Sequence, residues 1–331
     1  SDHSELSSKL NAMRLRHQDQ ALKITLGMRE WKEHRAQRGE STEVTRAFVD
    51  QFLDRFFLSW IGMDTLSSQF LALDQSSPGG VVNPECDPYE VGQKAAEAVQ
   101  ELASWRFAVP PKIEVVSHGA QEARALPLIP TYLYYIIVEL LKNSVRAVGE
   151  QYEASSDGVL EPVVLRVSSD NAQVALQISD RGGGIPFDKQ PKVWSYMYST
   201  AKGGADGAEP TPLAGFGVGL PLSRLYANYI GGSMHVMSMP NYGTTAYVYL
   251  TRAGDRREAL PTYVNWLRRK NLTERLLMLE KEKKEAAEKE DYFEAARLKA
   301  LSIEARAELA VLEKDGVHIG SLDLPGEHSL L

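Results

Sequence analysis

Three short motifs, each at a boundary between two kinds of predicted secondary structure, constrain the fold of this chain most strongly. Residues 139–146 (ELLKNSVR) lie inside a helical pattern, and residues 179–186 (SDRGGGIP) directly follow an apolar strand pattern. Residues 215–222 (GFGVGLPL) lead from a glycine- and proline-rich stretch into another helical pattern. This succession of helix, strand and helix predicts a mixed α/β structure for the middle of the chain.

The first motif places three polar side chains on one side of its helix. Glu139, Asn143 and Arg146 share a stripe, because residues three and four apart in a helix face the same way. The amide oxygen of Asn143 can ligate a hard cation without adding charge, which suits a magnesium ion that phosphates also hold. A solvated, charged helix face is the plainer interpretation of the same stripe.

The second and third motifs have the chemistry of a nucleotide site. Asp180, at the end of a strand, can accept a hydrogen bond from the exocyclic amine of adenine, and the glycines after it let the backbone approach a flat base. Gly215, Gly217 and Gly219 precede a helix whose free amides can reach phosphate oxygens. Each motif alone could be an ordinary turn. A Rossmann site is disfavoured, because the third motif does not follow the first strand of a βαβ unit.

The patterns around these motifs predict an α+β chain of several parts. Helical patterns fill the first 110 residues, with breaks at 38–42 and 76–88. The predicted elements are a helix containing Phe48, Phe52, Phe56 and Phe57, helices at 89–105, 131–152 (with Thr131 as N-cap) and 220–229, and hairpins of 163–167 with 174–178 and of 234–239 with 246–250. The expected parts are a helical bundle at 1–110, an α/β sandwich at 111–255, a connector at 256–270, a charged helical hairpin at 271–315 and a frayed tail at 316–331.

The composition narrows the classes of partner. With 37 basic and 44 acidic side chains the formal charge is −7, which argues against sequence-independent binding to nucleic acid. Cys86 is the only cysteine, so neither an intrachain disulfide nor a cysteine zinc site can form.

The longest apolar run, 132–138, is far shorter than the roughly 20 residues of a membrane-spanning helix, so no span is expected. No charged-then-apolar leader begins at Ser1, so we expect no targeting peptide in this chain.

Taken together, the motifs resemble the Bergerat-type (GHKL) ATP-binding fold of sensor histidine kinases, DNA gyrase B, MutL and the large heat-shock chaperone. Within that group the chain resembles the mitochondrial kinases that phosphorylate 2-oxoacid dehydrogenases: pyruvate dehydrogenase kinase and branched-chain ketoacid dehydrogenase kinase. The resemblance rests on residues 126–148, 179–186, 198–201 and 215–232, and it extends more weakly from 22 to 266. It implies a helical bundle followed by an α/β sandwich, with ATP, Mg²⁺ and K⁺ as cofactors.

The resemblance also implies a role for each residue of the motifs. Asn143 would bind magnesium, Asp180 would hold the adenine amine, and Glu139 would orient and deprotonate the acceptor serine hydroxyl. Lys142 and Arg146 would steady phosphate charge. The other expected nucleotide contacts are Gly182, Gly184, Thr200, Gly215, Gly217, Val218, Gly219, Leu220 and Thr244. Residues 202–214 would form a lid that excludes water from bound ATP.

The chain departs from the family pattern in two helices. Where the family carries an arginine and a histidine in its N-terminal bundle, the alignment places Asp64 and Gln69, so a histidine phosphoacceptor is absent there. Tyr135 stands one turn before Glu139, as in the branched-chain ketoacid dehydrogenase kinases, whereas the pyruvate dehydrogenase kinases have a histidine there. These differences leave the expected ATP site intact and bear on the acceptor chemistry and the substrate.

The leading hypothesis is an ATP-dependent protein serine kinase that phosphorylates, and thereby inhibits, the α subunit of a pyruvate or branched-chain dehydrogenase. The resemblance implies a mitochondrial matrix location, a homodimer and docking on a lipoyl domain of the acyltransferase core. One alternative is a catalytically weak, ATP-binding adaptor. A histidine sensor kinase is disfavoured, because His17, His34 and His118 lack a dimerisation-helix context.

The charged C-terminal segment has two interpretations. Residues 290–298 resemble the UVR helical-hairpin motif of excinuclease subunits, which is a protein-interaction element. An ordinary helical hairpin rich in alanine, glutamate and lysine fits the same residues. Both interpretations predict two helical segments with a surface for a partner or for self-association.

Overall fold

The computed structural model describes residues 2–17, 20–74, 80–119, 124–155, 159–198 and 217–252, with shorter stretches at 272–273, 275–276, 278–286, 297–303 and 305–306. Helices and a mixed sheet are both present, so the α+β prediction is confirmed. Residues 1–259 and 260–331 form two compact units. Within the described ranges, every helix is too short or too polar to cross a membrane.

The chain begins with three helices. They are α1 (Asp2–His17), α2 (Gln20–Gln37) and α3 (Thr42–Asp74), and both α1 and α2 pack against α3. The predicted break near residue 40 separates α2 from α3. The buried side of α3 is formed by Val49, Leu53 and Phe57, which recur every four residues. Phe48 and Phe52 lie in the same helix, as expected, but remain 43% and 38% exposed.

In the described part of the chain, seven strands form two sheets. They are β1 (Asn83–Cys86), β2 (Ile113–His118), β3 (Leu126–Leu128), β4 (Val163–Ser169), β5 (Gln173–Ser179), β6 (Ser233–Met239) and β7 (Gly243–Thr251). The main sheet has the order β2-β4-β5-β7-β6, and β1 pairs with β3. Only β2 and β4 run parallel in the main sheet. Both predicted hairpins are confirmed, as β4 with β5 and β6 with β7.

Three further helices, α4 (Pro88–Arg106), α5 (Pro130–Ala154) and α6 (Gly219–Tyr229), share a core with the sheet. Helix α5 contributes Leu133, Ile137 and Leu141 to this core. The strands contribute every second side chain, such as Leu165 of β4 and Leu176 of β5. Helix α4 packs on α5 and β2, so the core of the sheet draws on residues from both sides of position 110. The division of the chain at 110, 255, 270 and 315 stays a prediction.

The expected N-cap of α5 is wrong. The helix begins at Pro130, its capping residue is Ile129, and no side chain among the described residues bonds to the free amides of the first turn. Proline suits the first helical position because its missing N–H would have no partner there and its φ angle is already helical. The proline therefore fixes the start of α5, and Thr131 lies inside the first turn.

The second unit contains helical stretches within 272–286 and 297–306. Leu279 and Ala286 of the first stretch pack against Leu298 and Ala305 of the second, and the Arg306 guanidinium lies 3.0 Å from the Glu280 carboxylate. Two helical stretches joined through an apolar seam are what the hairpin prediction requires. The connector at 256–270, the tail at 316–331 and residues 290–296 of the UVR-like segment lie outside the described residues.

Candidate nucleotide site

A cavity of about 430 Å³ lies between α5, the start of α6, the end of β5 and the neighbouring strands β6 and β7. All three sequence motifs meet in it, although 32 residues lie between the first and the second motif and 28 between the second and the third. The predicted site residues that line it are Glu139, Lys142, Asn143, Arg146, Asp180, Gly182, Gly184, Gly217, Gly219, Leu220 and Thr244. A helix stripe, a strand end and a glycine turn are therefore brought to one place by the fold.

Three other predicted contacts are not placed in this cavity. Thr200 and Gly215 lie outside the described residues, as does the expected lid at 202–214. Val218 is the capping residue of α6, and its side chain packs against the cluster around α3. Their contacts with a nucleotide stay predictions.

Asp180 is held at the end of β5 by three hydrogen bonds. Its Oδ1 accepts from the amides of Gly182 and Thr244, at 3.0 and 3.2 Å, and its Oδ2 accepts from the Ser144 hydroxyl at 2.8 Å. These bonds fix the plane of the carboxylate. Because a carboxylate oxygen has more than one lone pair, Oδ2 can still accept from an amine in the cavity.

Burial raises the pKa of Asp180 above its ordinary value, and the hydrogen bonds from Gly182, Ser144 and Thr244 oppose this rise. Only the ionised carboxylate accepts at both oxygens. We therefore expect the affinity for adenosine to fall as the pH drops through this raised pKa, before the ordinary range of an aspartate at about 3.9 is reached. Titration calorimetry at a series of pH values measures this, and adenosine is the appropriate ligand because it has no phosphate to titrate.

The Asp180→Asn variant is the control for that pH series. Its amide cannot ionise, so it should bind adenosine weakly and with no acid-dependent loss. Wild-type affinity that stays constant until the ordinary aspartate range would contradict the assignment of Asp180 to the adenine amine.

The polar stripe of α5 forms one wall of the cavity. The Lys142 ammonium lies 2.9 Å from Oε1 of Glu139, and both side chains are largely buried. Gly219 of α6 faces the other carboxylate oxygen so closely that a Cβ there would lie 2.2 Å from Oε2. Asn143 is half-buried in the same wall, and its side-chain amide has no hydrogen bond to any other residue that the structure describes. Its oxygen is therefore available to a bound cation.

Tyr135 lies one turn before Glu139 and packs its ring 5.0 Å from that of Tyr226. Burial raises the pKa of Tyr135 well above its ordinary value, and the nearby Glu139 charge raises it further. The hydroxyl therefore stays protonated at neutral pH. In this position it can donate a hydrogen bond but cannot take up a proton, unlike a histidine.

The start of α6 has the properties of an anion site. Val218, its capping residue, makes no side-chain hydrogen bond to the first turn, so these backbone amides remain donors. Gly217 and Gly219 border the cavity at this point, and the lack of a side chain at each allows its close contact with Met197 and Glu139. Exposed amides and the helix dipole together favour phosphate oxygens.

Sequence reasoning missed several residues of the cavity. Ser144 directly follows Asn143, but on the buried side of α5, where it orients Asp180. A serine among buried apolar positions was the signal available for it. Lys189 and Tyr198 also line the cavity, from a segment with no regular pattern that contains only a short 3-10 helix at 190–194. No sequence pattern places Lys189, and Tyr198 belongs to the segment 198–201, on which the family resemblance rests.

The fold and the site together define a GHKL-type ATPase. Residues 129–254 match the family described as histidine kinase-, DNA gyrase B-, and HSP90-like ATPase, and residues 1–95 match the mitochondrial branched-chain alpha-ketoacid dehydrogenase kinase domain. The bundle and the sheet thus each match a known family in the order that the sequence analysis predicted.

Relatives that match about three quarters of the chain identify the family more narrowly. A mitochondrial pyruvate dehydrogenase (acetyl-transferring) kinase of Arabidopsis thaliana is 34% identical over 273 residues, which cover 78% of this chain and 71% of the relative. The corresponding kinase of Drosophila melanogaster is 33% identical over 77% of this chain and 64% of the relative. Isozyme 1 of Homo sapiens is 34% identical over 76% of this chain and 59% of the relative. The chain therefore belongs to the family of mitochondrial 2-oxoacid dehydrogenase kinases, and spans about three fifths to seven tenths of these relatives' lengths.

Proposed function

We propose that this chain is an ATP-dependent protein serine kinase that phosphorylates the α subunit of a pyruvate or branched-chain 2-oxoacid dehydrogenase and thereby inhibits it. One observation carries the proposal. Glu139 and Asn143 lie one turn apart on α5, and both face a cavity that also contains Asp180 and the start of α6. A proton acceptor, a cation ligand, an adenine acceptor and a phosphate site are thus within reach of one nucleotide.

In this proposal each group of residues has one task in phosphoryl transfer. Asp180 holds the adenine amine and so fixes the nucleotide, and the amides at the start of α6 hold its phosphates. Lys142 and Arg146 offset phosphate charge. Asn143 is the assigned ligand of a magnesium ion, which neutralises charge on the transferred phosphate. The resemblance also implies potassium, for which no ligand is assigned.

Glu139 is the proposed general base. In this role it orients the serine hydroxyl of the acceptor and takes its proton, an effect worth roughly 10² to 10⁴ in rate. In the present geometry the Lys142 ammonium is paired with its Oε1, at 2.9 Å. Phosphates bound beside Lys142 would compete for that ammonium, so nucleotide binding would leave the Glu139 carboxylate freer to accept the proton.

The proposal extends to location and assembly. The relatives named above are mitochondrial kinases, and a matrix location is proposed for this chain on that ground. Docking of the N-terminal helices on a lipoyl domain, and a homodimer, are proposed from the same resemblance. These parts of the proposal depend on the family alone.

A catalytically weak adaptor is the second candidate, because of two residues in α3. Asp64 pairs with Arg14 at 3.0 Å, and the Gln69 side chain accepts from the Val81 amide at 2.8 Å. Both side chains that replace the family's arginine and histidine thus have structural partners. An adaptor would bind ATP without transferring phosphate.

Incubation with γ-labelled ATP, magnesium and a purified dehydrogenase complex tests the proposal. We expect label on serine of the α subunit, with a parallel loss of dehydrogenase activity. Pyruvate and branched-chain complexes assayed side by side decide the substrate. Label on neither complex, while a known kinase labels both, would contradict the kinase assignment, and ATP binding in that case would favour the adaptor.

A further inference from the structure

A buried tyrosine joins α3 of the N-terminal helices to the backbone that borders the cavity. Tyr196 is 1% exposed, and its hydroxyl donates to Oδ1 of Asp54 at 2.7 Å. Its backbone amide donates to Oδ1 of Asp50 at 2.8 Å, and its ring stacks on Phe57 with the centroids 5.6 Å apart. Helix α3 therefore holds this residue by its backbone, its ring and its hydroxyl.

The residue after Tyr196 holds the glycine turn. The Met197 amide donates to the carbonyl of Gly217 at 2.9 Å, and Met197 has a φ of 60°. Gly217 has a φ of 74°, and a Cβ there would lie 2.7 to 2.8 Å from the backbone of Met197 and Tyr198. Left-handed backbone at a residue other than glycine persists only where its surroundings impose it. Here the contacts of Tyr196 with α3 fix one side of the close approach.

The first turns of α6 also rest on α3. Val218, Leu222 and Leu225 pack against the buried cluster that contains Leu53 and Phe57. Arg224 of α6 places its guanidinium 4.7 Å from the centre of the Trp194 ring, in the segment that leads to Tyr196. The turn at 217–219 therefore lies between the segment that contains Tyr196 and the first turns of α6, and both contact α3 around Leu53 and Phe57.

Holding these segments together through the carboxylates of Asp50 and Asp54 costs desolvation free energy. Asp50 and Asp54 are both half-buried, and burial is the largest influence on the pKa of each and raises it. Buried ionic groups are often no more stabilising than apolar residues of similar size, whereas their directional hydrogen bonds specify one geometry. Such bonds are suited to fixing the position of a backbone segment.

We propose that Asp50 and Asp54 are positioning residues for the phosphate-binding turn at 217–219. Through Tyr196 and Met197 they set where the backbone donors of this turn lie. They act on the affinity for the phosphates of ATP and not on adenine recognition, which is the role proposed for Asp180. This inference rests on the proposed ATP site.

The variants Asp54→Ala and Tyr196→Phe each remove the bond between α3 and the tyrosine hydroxyl. Tyr196→Phe removes only one oxygen atom, so the core keeps its shape. We expect each to weaken ATP binding by about 5- to 100-fold, the usual size of coupling between separated sites, with adenosine affinity retained. The double variant should be no worse than either single one, because both remove the same bond. Asp54→Asn keeps an acceptor oxygen and should restore much of the ATP affinity.

Asp74→Ala is the matched control, because it makes the same substitution on an exposed position of α3 and should leave both affinities unchanged. Calorimetry with ATP and with adenosine, together with the unfolding temperature, gives the comparison for every variant. Equal losses for ATP and adenosine that follow the loss of stability would overturn the inference, as would unchanged ATP affinity in Tyr196→Phe. If the wild-type chain bound neither ligand, the proposed ATP site would fail, and this inference with it.

Discussion

Replacing Asn143 with alanine is expected to lower the affinity for ATP in the presence of magnesium by at least about 100-fold, because outer-shell substitutions at metal sites alone cost 10- to 100-fold. Adenosine affinity should be unchanged, since adenosine carries no phosphate to share a metal ion. Titration calorimetry with ATP in magnesium and in EDTA measures the effect. In the variant, the difference between the two conditions should disappear.

Asn228→Ala is the matched control for this experiment. Asn228 is an exposed asparagine on α6, outside the cavity, so its removal should leave the magnesium-dependent difference intact. Magnesium-dependent ATP affinity that is retained in Asn143→Ala would refute the metal assignment. A residue other than Asn143 would then have to ligate the cation.

The second large effect is expected from Glu139→Gln. Glutamine has the shape of glutamate and can still accept from Lys142, but it cannot take a proton from the acceptor serine. We expect phosphotransfer to fall by roughly 10² to 10⁴ while ATP binding persists, because a general base acts mainly in the transition state. Single-turnover transfer of labelled phosphate and calorimetry separate these two quantities.

Glu153→Gln provides the control, since Glu153 is an exposed glutamate near the end of the same helix. This variant should transfer phosphate at the wild-type rate. Full activity in Glu139→Gln would rule out the base assignment. A variant that lost ATP binding and activity together would point to a role for Glu139 in holding Lys142, and not in proton transfer.

Most residues of the cavity could be predicted from the sequence, because each motif follows from a local rule of helix or strand structure. Asn143 and Glu139 follow from helical spacing, and Asp180 follows from its place at a strand end before glycines. Their convergence required the family resemblance, because no local rule says that a helix at 139 and a turn at 217 meet. The relatives confirm the family, and the roles of the individual residues stay predictions.

The parts that sequence reasoning missed depend on tertiary contacts. Strand β2 is an edge strand of six residues whose parallel partner lies some 50 residues further along, so no hairpin signal marks it. Thr131 has the chemistry of a cap, but Pro130 determines where the helix begins. Tyr196 belongs to an irregular segment, and its partners Asp50 and Asp54 lie more than 140 residues away.

The presence of the nucleotide site is tested by titration of the purified chain with ATP in the presence of magnesium. We expect saturable binding of one nucleotide per chain, with an affinity that falls when Asp180 is replaced by asparagine. Absence of any heat with ATP, ADP or adenosine, from protein shown by circular dichroism to be folded, would contradict it.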